Sequence, residues 1–356
     1  MYLRFRWGVI LFVIVFLADS GYGQDIHFTN FRMAPVSVNP SLAGSFLGTY
    51  RISGIYRDQW RNVSNSKAYK TPFLSAEVNI LSGLLSENDW ITGGLSFFSD
   101  RAGTLNYKHQ ITGLVAGYHY GFDDEYSKVF SIGLSYGSGS QGFNINELSL
   151  PQRLETGTNG ETFSASPEGD LNKTFSDLSV GVSFKSVIND AGSMVRFGIT
   201  GAHLLSPDIS LAPSPIIDPN DPNPPPTGRR EEGLDFRMTF LGEASFMATE
   251  KVRVNPAVLY QSKSGFSELA VQSTADYLLS RKKMTVLTGG IGYRVNDAFE
   301  AIAGIQLKDI KVALSYDLTT SSFTEAGGNA FEIAIGYVGR IYKNPDVKPV
   351  IFCPRL

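Results

Sequence analysis

The 356-residue chain has a single cysteine, Cys353, so no disulfide can form within it. A core or the closure of a sheet must supply the stability that a covalent staple would otherwise give. Charge is sparse: 18% of residues are charged and the formal net charge is −3, with no polybasic surface for nucleic acid and no acidic tail. Beyond Leu17 no apolar run approaches the roughly 18 residues that a membrane-spanning helix needs. Histidine is limited to His27, His109, His119 and His203, none in a metal-ligand spacing, and no G-x-S-x-G nucleophile elbow occurs. The expectation is a protein with no catalytic set, no cofactor and no nucleic-acid partner.

What the chain does contain is glycine (36), phenylalanine (24) and tyrosine (16), a mixture suited to many strands. At the N-terminus, Arg4 and Arg6 precede the apolar run Trp7 to Leu17, and Gly21 and Gly23 stand at the −3 and −1 positions of a cut before Gln24. This is the layout of a secretory signal peptide, too short to span a membrane. Downstream the hydrophobic period is two. Phe130, Ile132, Leu134 and Tyr136 alternate with Ser131, Gly133 and Ser135, and Leu178, Val180, Val182 and Phe184 alternate with Ser179, Gly181, Ser183 and Lys185. Ile310 to Leu318 and Phe331 to Tyr337 repeat the pattern, with Lys311, Asp317 and Glu332 among the residues of the polar face.

Fourteen such segments can be marked: 49–60, 70–80, 91–99, 107–122, 128–137, 175–187, 194–204, 234–248, 251–262, 266–279, 284–295, 298–307, 309–319 and 329–342. Many are 10 to 13 residues long, enough for the about 9–11 that a tilted strand needs to cross a bilayer and longer than the usual soluble strand of about 5–6. The fold class predicted is all-β, an outer-membrane antiparallel β-barrel of about 14 strands with a short N-terminal insert. An even strand count returns both termini to the periplasm. The two longest gaps, 138–174 and 205–233, then both open outside. Single-face alternation also suits an exported β-sandwich, which is the rival architecture.

Three further patterns have bland readings. Gly137 to Gly142 spells G-x-G-x-x-G, but no amphipathic helix follows to present its N-terminus to a pyrophosphate, so it reads as the start of an outer loop. Asp218, Asn220, Asp221 and Asn223 lack calcium-loop spacing and sit among prolines, which favours a solvated excursion. Trp60, Tyr69, Trp90, Tyr107, Tyr120, Phe122, Tyr293 and Tyr342 fall near strand ends, where an aromatic girdle at the headgroup level is expected.

The stretch "QDIHFTNFRMAPVSVNPSLAG" (Gln24 to Gly44) followed by "YRDQW" (Tyr56 to Trp60) resembles the start of the PorP/SprF family of type IX secretion system membrane proteins. "SDRAG" (99–103), "LSYDLTTSS" (314–322), "FEIAIGY" (331–337) and a terminal "CPRL" (353–356) extend the resemblance along the chain, with Leu356 where the family usually has an aromatic. The resemblance implies a non-catalytic protein of the bacterial outer membrane. Its implied partners are the bilayer, periplasmic or outer-membrane components of the type IX apparatus, and a secreted cargo with a type IX C-terminal domain, such as an adhesin of gliding motility. The competing functional class is a channel for small or hydrophobic solutes.

On this footing the chain divides into a signal peptide (1–23), an N-terminal insert or plug (24–46), a barrel (47–343) and a periplasmic tail (344–356). In the insert, Asn39 and Pro40 set a turn and Gly44 permits close backbone approach, so the segment suits a place in the periplasmic mouth or lumen; a flexible leader is the alternative. Alternation points Arg57 and Gln59 into the lumen, Tyr56 and Trp60 to lipid, and leaves Asp58 near the rim. Arg57 then stands ready to lock the insert. Cys353 and Arg355, in the tail, are candidates for contact with a periplasmic ring partner, and Cys353 for an intermolecular disulfide.

Overall fold

The computed structural model describes residues 27–59, 69–102, 107–143, 171–209, 233–320 and 328–341. They contain fourteen strands: β1 (Tyr50–Gln59), β2 (Tyr69–Ser82), β3 (Asp89–Ala102), β4 (Tyr107–Gly121), β5 (Lys128–Phe143), β6 (Leu171–Val187) and β7 (Met194–Ala202). The second half runs β8 (Arg237–Met247), β9 (Val252–Lys263), β10 (Phe266–Ser280), β11 (Thr285–Arg294), β12 (Ala298–Leu307), β13 (Ile310–Thr319) and β14 (Ala330–Gly339). Each strand pairs antiparallel with its sequence neighbour, and β1 pairs with β14 from Tyr50↔Gly339 to Gln59↔Ala330, so the sheet closes on itself. Closure leaves no edge strand, and every ladder is internally paired as a hydrocarbon environment demands.

The distribution of polarity is the reverse of a soluble protein's. Leu74, Leu95, Leu114, Ile132, Phe197, Ile291, Phe299, Leu314 and Ile333 are exposed on the outer face. Ser53, Arg57, Glu77, Thr92, Ser131, Thr200, Gln272, Arg294, Glu300, Asp317 and Glu332 are buried on the inner one. A β-sandwich would turn its greasy faces toward each other; here they face outward around a polar interior, which is what a bilayer stabilises. Along the β5–β6 ladder the outward rows Phe130↔Phe184, Ile132↔Val182, Leu134↔Val180 and Tyr136↔Leu178 are apolar, and the next rows, Ser138↔Ser176 and Ser140↔Thr174, are polar. The bilayer therefore ends near Tyr136.

Beyond that level the hairpin continues into water, and this changes one expectation. Residues Gly137 to Gly142 lie within β5 rather than in a loop. Periodicity misses the extension because no apolar side chain is needed outward where lipid stops. Gly139 is required for packing: a Cβ there would fall 2.3 Å from the Phe175 ring of β6, which lies against it. The connections at one end of the barrel (83–88, 122–127, 188–193, 248–251, 281–284 and 308–309) have six residues or fewer, while 144–170 and 203–236 both open at the other. In the outer-membrane orientation the short turns are periplasmic.

The girdle expectation divides. Tyr120, Phe122 and Tyr293 are exposed outward. Trp90, Tyr69 and Tyr107 instead take the inward register: Trp90 is buried and stacks on His119 with ring centroids 4.5 Å apart, and the Tyr107 hydroxyl donates to Gln141 Oε1 at 2.9 Å. In β3, Phe97 and Phe98 stand on opposite faces, so alternation alone does not set the phase of the strand. Trp60, Tyr342, the segment 1–26 and Asp218 to Asn223 lie outside the described residues.

Candidate functional site

Residues 27–48 occupy the lumen. A 3₁₀ turn (Phe31–Met33), one α-helical turn (Pro35–Val38) and a second 3₁₀ turn (Pro40–Leu42) follow in succession. Prolines at the first position of the last two turns suit sites where an N–H would be an orphan in any case. The insert does not merely fill the periplasmic mouth: His27 lies 3.6 Å from Glu268 and 2.8 Å from Arg294 Nη1, near the outer ends of β10 and β11, and the chain then descends to Thr49 at the periplasmic rim. Its apolar side chains complete two cores within the barrel. Phe28, Val36 and Ala43 pack with Ile55, Phe73, Phe98 and Val115, while Phe31, Val38 and Leu42 pack with Leu241, Ala257, Leu259 and Ala270.

Near the outer end the insert is held by an ion network. Arg57 Nη1 donates to Glu332 Oε1 at 2.5 Å and to Asp317 Oδ2 at 2.9 Å, and Arg57↔Glu332 are direct partners across the β1–β14 seam. Arg294 Nη2 reaches Glu300 at 2.8 Å and Asp317 at 3.0 Å. Glu332 also accepts the backbone N–H groups of Thr29 (2.8 Å) and Asn30 (2.9 Å); Asp317 accepts the Thr29 hydroxyl at 2.7 Å, and Gln272 donates to the Thr29 carbonyl at 2.8 Å. Two buried N–H groups and one carbonyl of this turn are thus answered by wall side chains, as burial of backbone amides beside charges requires. Gln59 joins only at the margin, accepting from Arg57 Nε at 3.4 Å, and Asp58, one residue before the strand ends at the rim, is itself buried.

Lower down, the wall recedes to admit backbone. Gly117, Gly133 and Gly181 lie in one cross-strand row of β4, β5 and β6; the turn Asn39-Pro40-Ser41 rests on Gly133 and Gly181, and the Ala43 carbonyl on Gly117. A Cβ on Gly181 would stand 2.0 Å from Asn39 Oδ1, and one on Gly133 2.3 Å from the Pro40 carbonyl carbon. Asn39 serves both sides: its Oδ1 accepts from Ser41 N at 2.9 Å, and its Nδ2 donates to the carbonyls of Val182 (3.1 Å) and Ile199 (3.3 Å). Gly44 has φ +73 and sits against Thr92 and Asn79, where a side chain would collide, while its N–H donates to Glu77 Oε2 at 3.0 Å. Arg51 grips Glu77 through two bonds of 3.0 and 2.7 Å and covers the Phe46 ring.

The candidate residues Asn39, Pro40, Gly44 and Arg57 thus meet along one insert–wall interface, with Gln59 at its edge; Cys353 and Arg355 lie outside the described residues. Alternation sets Asp317, Glu332, Gly133 and Gly181 on polar strand faces without marking them as an insert site, and it does not single out Arg294, Glu300, Glu77 or Gly117. Their signal was a carboxylate or guanidinium on the polar face of a strand otherwise lined by Ser, Thr and Gly. Arg32, Arg196 and Glu243 form a further group, with contacts of 3.2 Å (Arg32–Glu243) and 3.1 Å (Arg196–Glu243). They border a cavity of about 350 Å³ between the insert and the wall.

Solved barrels share this architecture. The toluene transporter TbuX of Ralstonia pickettii matches at a TM-score of 0.51 and 10% identity over 91% of this chain and 96% of that one. A deletion mutant of the monoaromatic hydrocarbon channel TodX matches at 0.50 and 9% identity over 91% and 97%. Likeness at this identity is a likeness of fold. No curated protein matches the chain in sequence. The family model described as type IX secretion system membrane protein PorP/SprF matches residues 20–337, nearly the whole chain. With its closed fourteen-strand ring, the chain belongs to the PorP/SprF family and is an outer-membrane component of the bacterial type IX secretion system.

Proposed function

We propose that this protein is a non-enzymatic scaffold of the type IX system, supporting export and surface attachment of secreted cargo, adhesins among them, through protein–protein contacts. Cargo does not pass through its lumen. The observation that carries this reading is the insert: residues 27–48 occupy the passage and are held at the top by Glu332 and Asp317 and at the bottom by Glu77. A barrel closed in this way has its outer loops and periplasmic rim left for partners. The test is deletion of the gene with complementation. Surface display of a protein bearing a type IX C-terminal domain should be lost and then restored, and the cargo or other type IX components should co-purify with the barrel. Undiminished display in the deletion strain overturns the proposal.

A second reading, a channel for small or hydrophobic solutes, is favoured by the cavity of about 350 Å³ beside the insert and by the fold shared with a toluene transporter. Steady conductance of the purified wild-type protein in planar bilayers, with solute uptake that depends on it, would support this reading against the scaffold.

A further inference from the structure

The periplasmic rim is divided by charge. The turns 83–88, 122–127 and 188–193 carry Glu87, Asp123, Asp124, Glu125 and Asp190 and no lysine or arginine. Across the ring, the turns 281–284 and 308–309 and the residue after β14 supply Arg281, Lys282, Lys283, Lys308 and Arg340, with Asp309 the one carboxylate. These basic elements are knit together: Lys308 N donates to the Met284 carbonyl and Val338 N to the Asp309 carbonyl, each at 3.0 Å. Between them lies a cavity of about 280 Å³ lined by Lys282, Lys283, Met284, Lys308, Asp309, Tyr337 and Arg340.

The position of this notch is as informative as its charge. Tyr337 belongs to the outward row of β14 with Ile333 and Ile335, and Met284, Leu307, Ile310 and Ile341 are exposed around it. The notch therefore faces sideways, at the level where hydrocarbon gives way to periplasmic water, with an apolar wall on the membrane side and ammonium groups on the aqueous side. We propose that it binds the phosphate headgroup of an anionic phospholipid from the inner leaflet. Lys282, Lys283, Lys308 and Arg340 surround the phosphate, and Met284 and Tyr337 pack against the glycerol and the first acyl carbons. A free phosphate has no use for the apolar wall. A periplasmic protein would approach from below, whereas Tyr337 and Met284 open toward lipid. The proposal does not depend on the scaffold reading.

The test is native mass spectrometry of the full-length barrel in neutral detergent, titrated with phosphatidylglycerol, with phosphatidylcholine, whose phosphate is offset by its own quaternary ammonium, as the zwitterionic control of zero net charge and inorganic phosphate as competitor. We expect one phosphatidylglycerol retained per barrel in preference to phosphatidylcholine, and no displacement by millimolar phosphate. Removing each cation should weaken binding about fivefold, so Lys283→Ala with Lys308→Ala should cost well over tenfold, while Lys283→Arg with Lys308→Arg retains it. Lys251→Ala, a cation on the same rim outside the notch, should change nothing. All these side chains are exposed, and heat-modifiable gel mobility verifies that each variant is folded. Equal retention of the two lipids, or a double alanine variant that binds like wild type, overturns the proposal. Displacement by inorganic phosphate also overturns it, since it would identify a simple anion site.

Discussion

Arg57 is buried to 3% exposure between two carboxylates, and its partner Glu332 is buried completely. Removing one member of such a set leaves an uncompensated charge behind, which costs more than the pair itself contributes. Arg57→Met should therefore lower barrel stability by about 3–5 kcal/mol, measured by reversible urea unfolding into lipid vesicles. A loss under about 1 kcal/mol, the scale of an exposed pair, would show that the pair is solvated. Glu332→Ala acts on the insert as well as on the wall, because it removes the acceptor for two backbone N–H groups at Thr29 and Asn30. Protease cleavage ahead of Asn39, expected to be slow in wild type because the segment is anchored to the wall, should then accelerate by an order of magnitude or more. An unchanged cutting rate would mean that Glu332 does not anchor the segment.

At the scale of elements, the glycine row is the feature with the sharpest consequence. Gly181→Val or Gly133→Val places a branched side chain where the Asn39-Pro40 turn now lies, its Cβ alone falling 2.0 and 2.3 Å from atoms of that turn. Strands tolerate valine, so the ladder survives and the insert must leave. The expected result is a folded barrel with raised conductance and a cleavable insert. Gly289→Val, with nothing within 4 Å of its Cβ, serves as the control. The β4–β5 turn provides a pH test. Burial alone would raise the Asp123 carboxyl, but the Ser127 hydroxyl and the N–H groups of Ser127 and Lys128 outweigh it and hold it below the usual carboxylate range. A depressed folded pKa contributes stability that is fully present above the ordinary aspartate value of about 3.9 and is lost as pH falls through the folded value. Protection of the Ser127 amide by this carboxylate should accordingly be constant from neutral pH down to that value and be lost in more acid solution. In Asp123→Ala the amide should be unprotected throughout.

For the whole molecule, closure of the ring and occupation of its lumen are separable. Backbone ladders run unbroken from β1 around to β14 without help from the insert. Deleting residues 27–44 from the mature chain should therefore leave a heat-modifiable barrel, with lumenal charges solvated by entering water, whose conductance far exceeds that of the wild type. A deletion variant that fails to fold in both detergent and lipid would show that the insert is part of the folding core. Strand number and the opening of both long connections at one end were legible from period-two alternation and the parity of the strand count, because lipid outside and polar side chains inside impose opposite demands on successive residues. The outer extensions of β5 and β6 were not, because above the bilayer that demand disappears.

The sequence by itself determined an exported, all-β chain with one greasy face per strand, since alternation of side chains across a strand is a local property. It also placed Arg57 in the lumen, for the same reason. Only the tertiary structure decided that Arg57 meets Asp317 and Glu332, that Gly133 and Gly181 align into a seat for Asn39 and Pro40 with Gly117 beside them under the Ala43 carbonyl, and that the insert reaches the level of Arg294. Those contacts depend on the register between strands and on which strands adjoin when the ring closes. They join residues as far as 303 positions apart, and no periodicity within one segment encodes them.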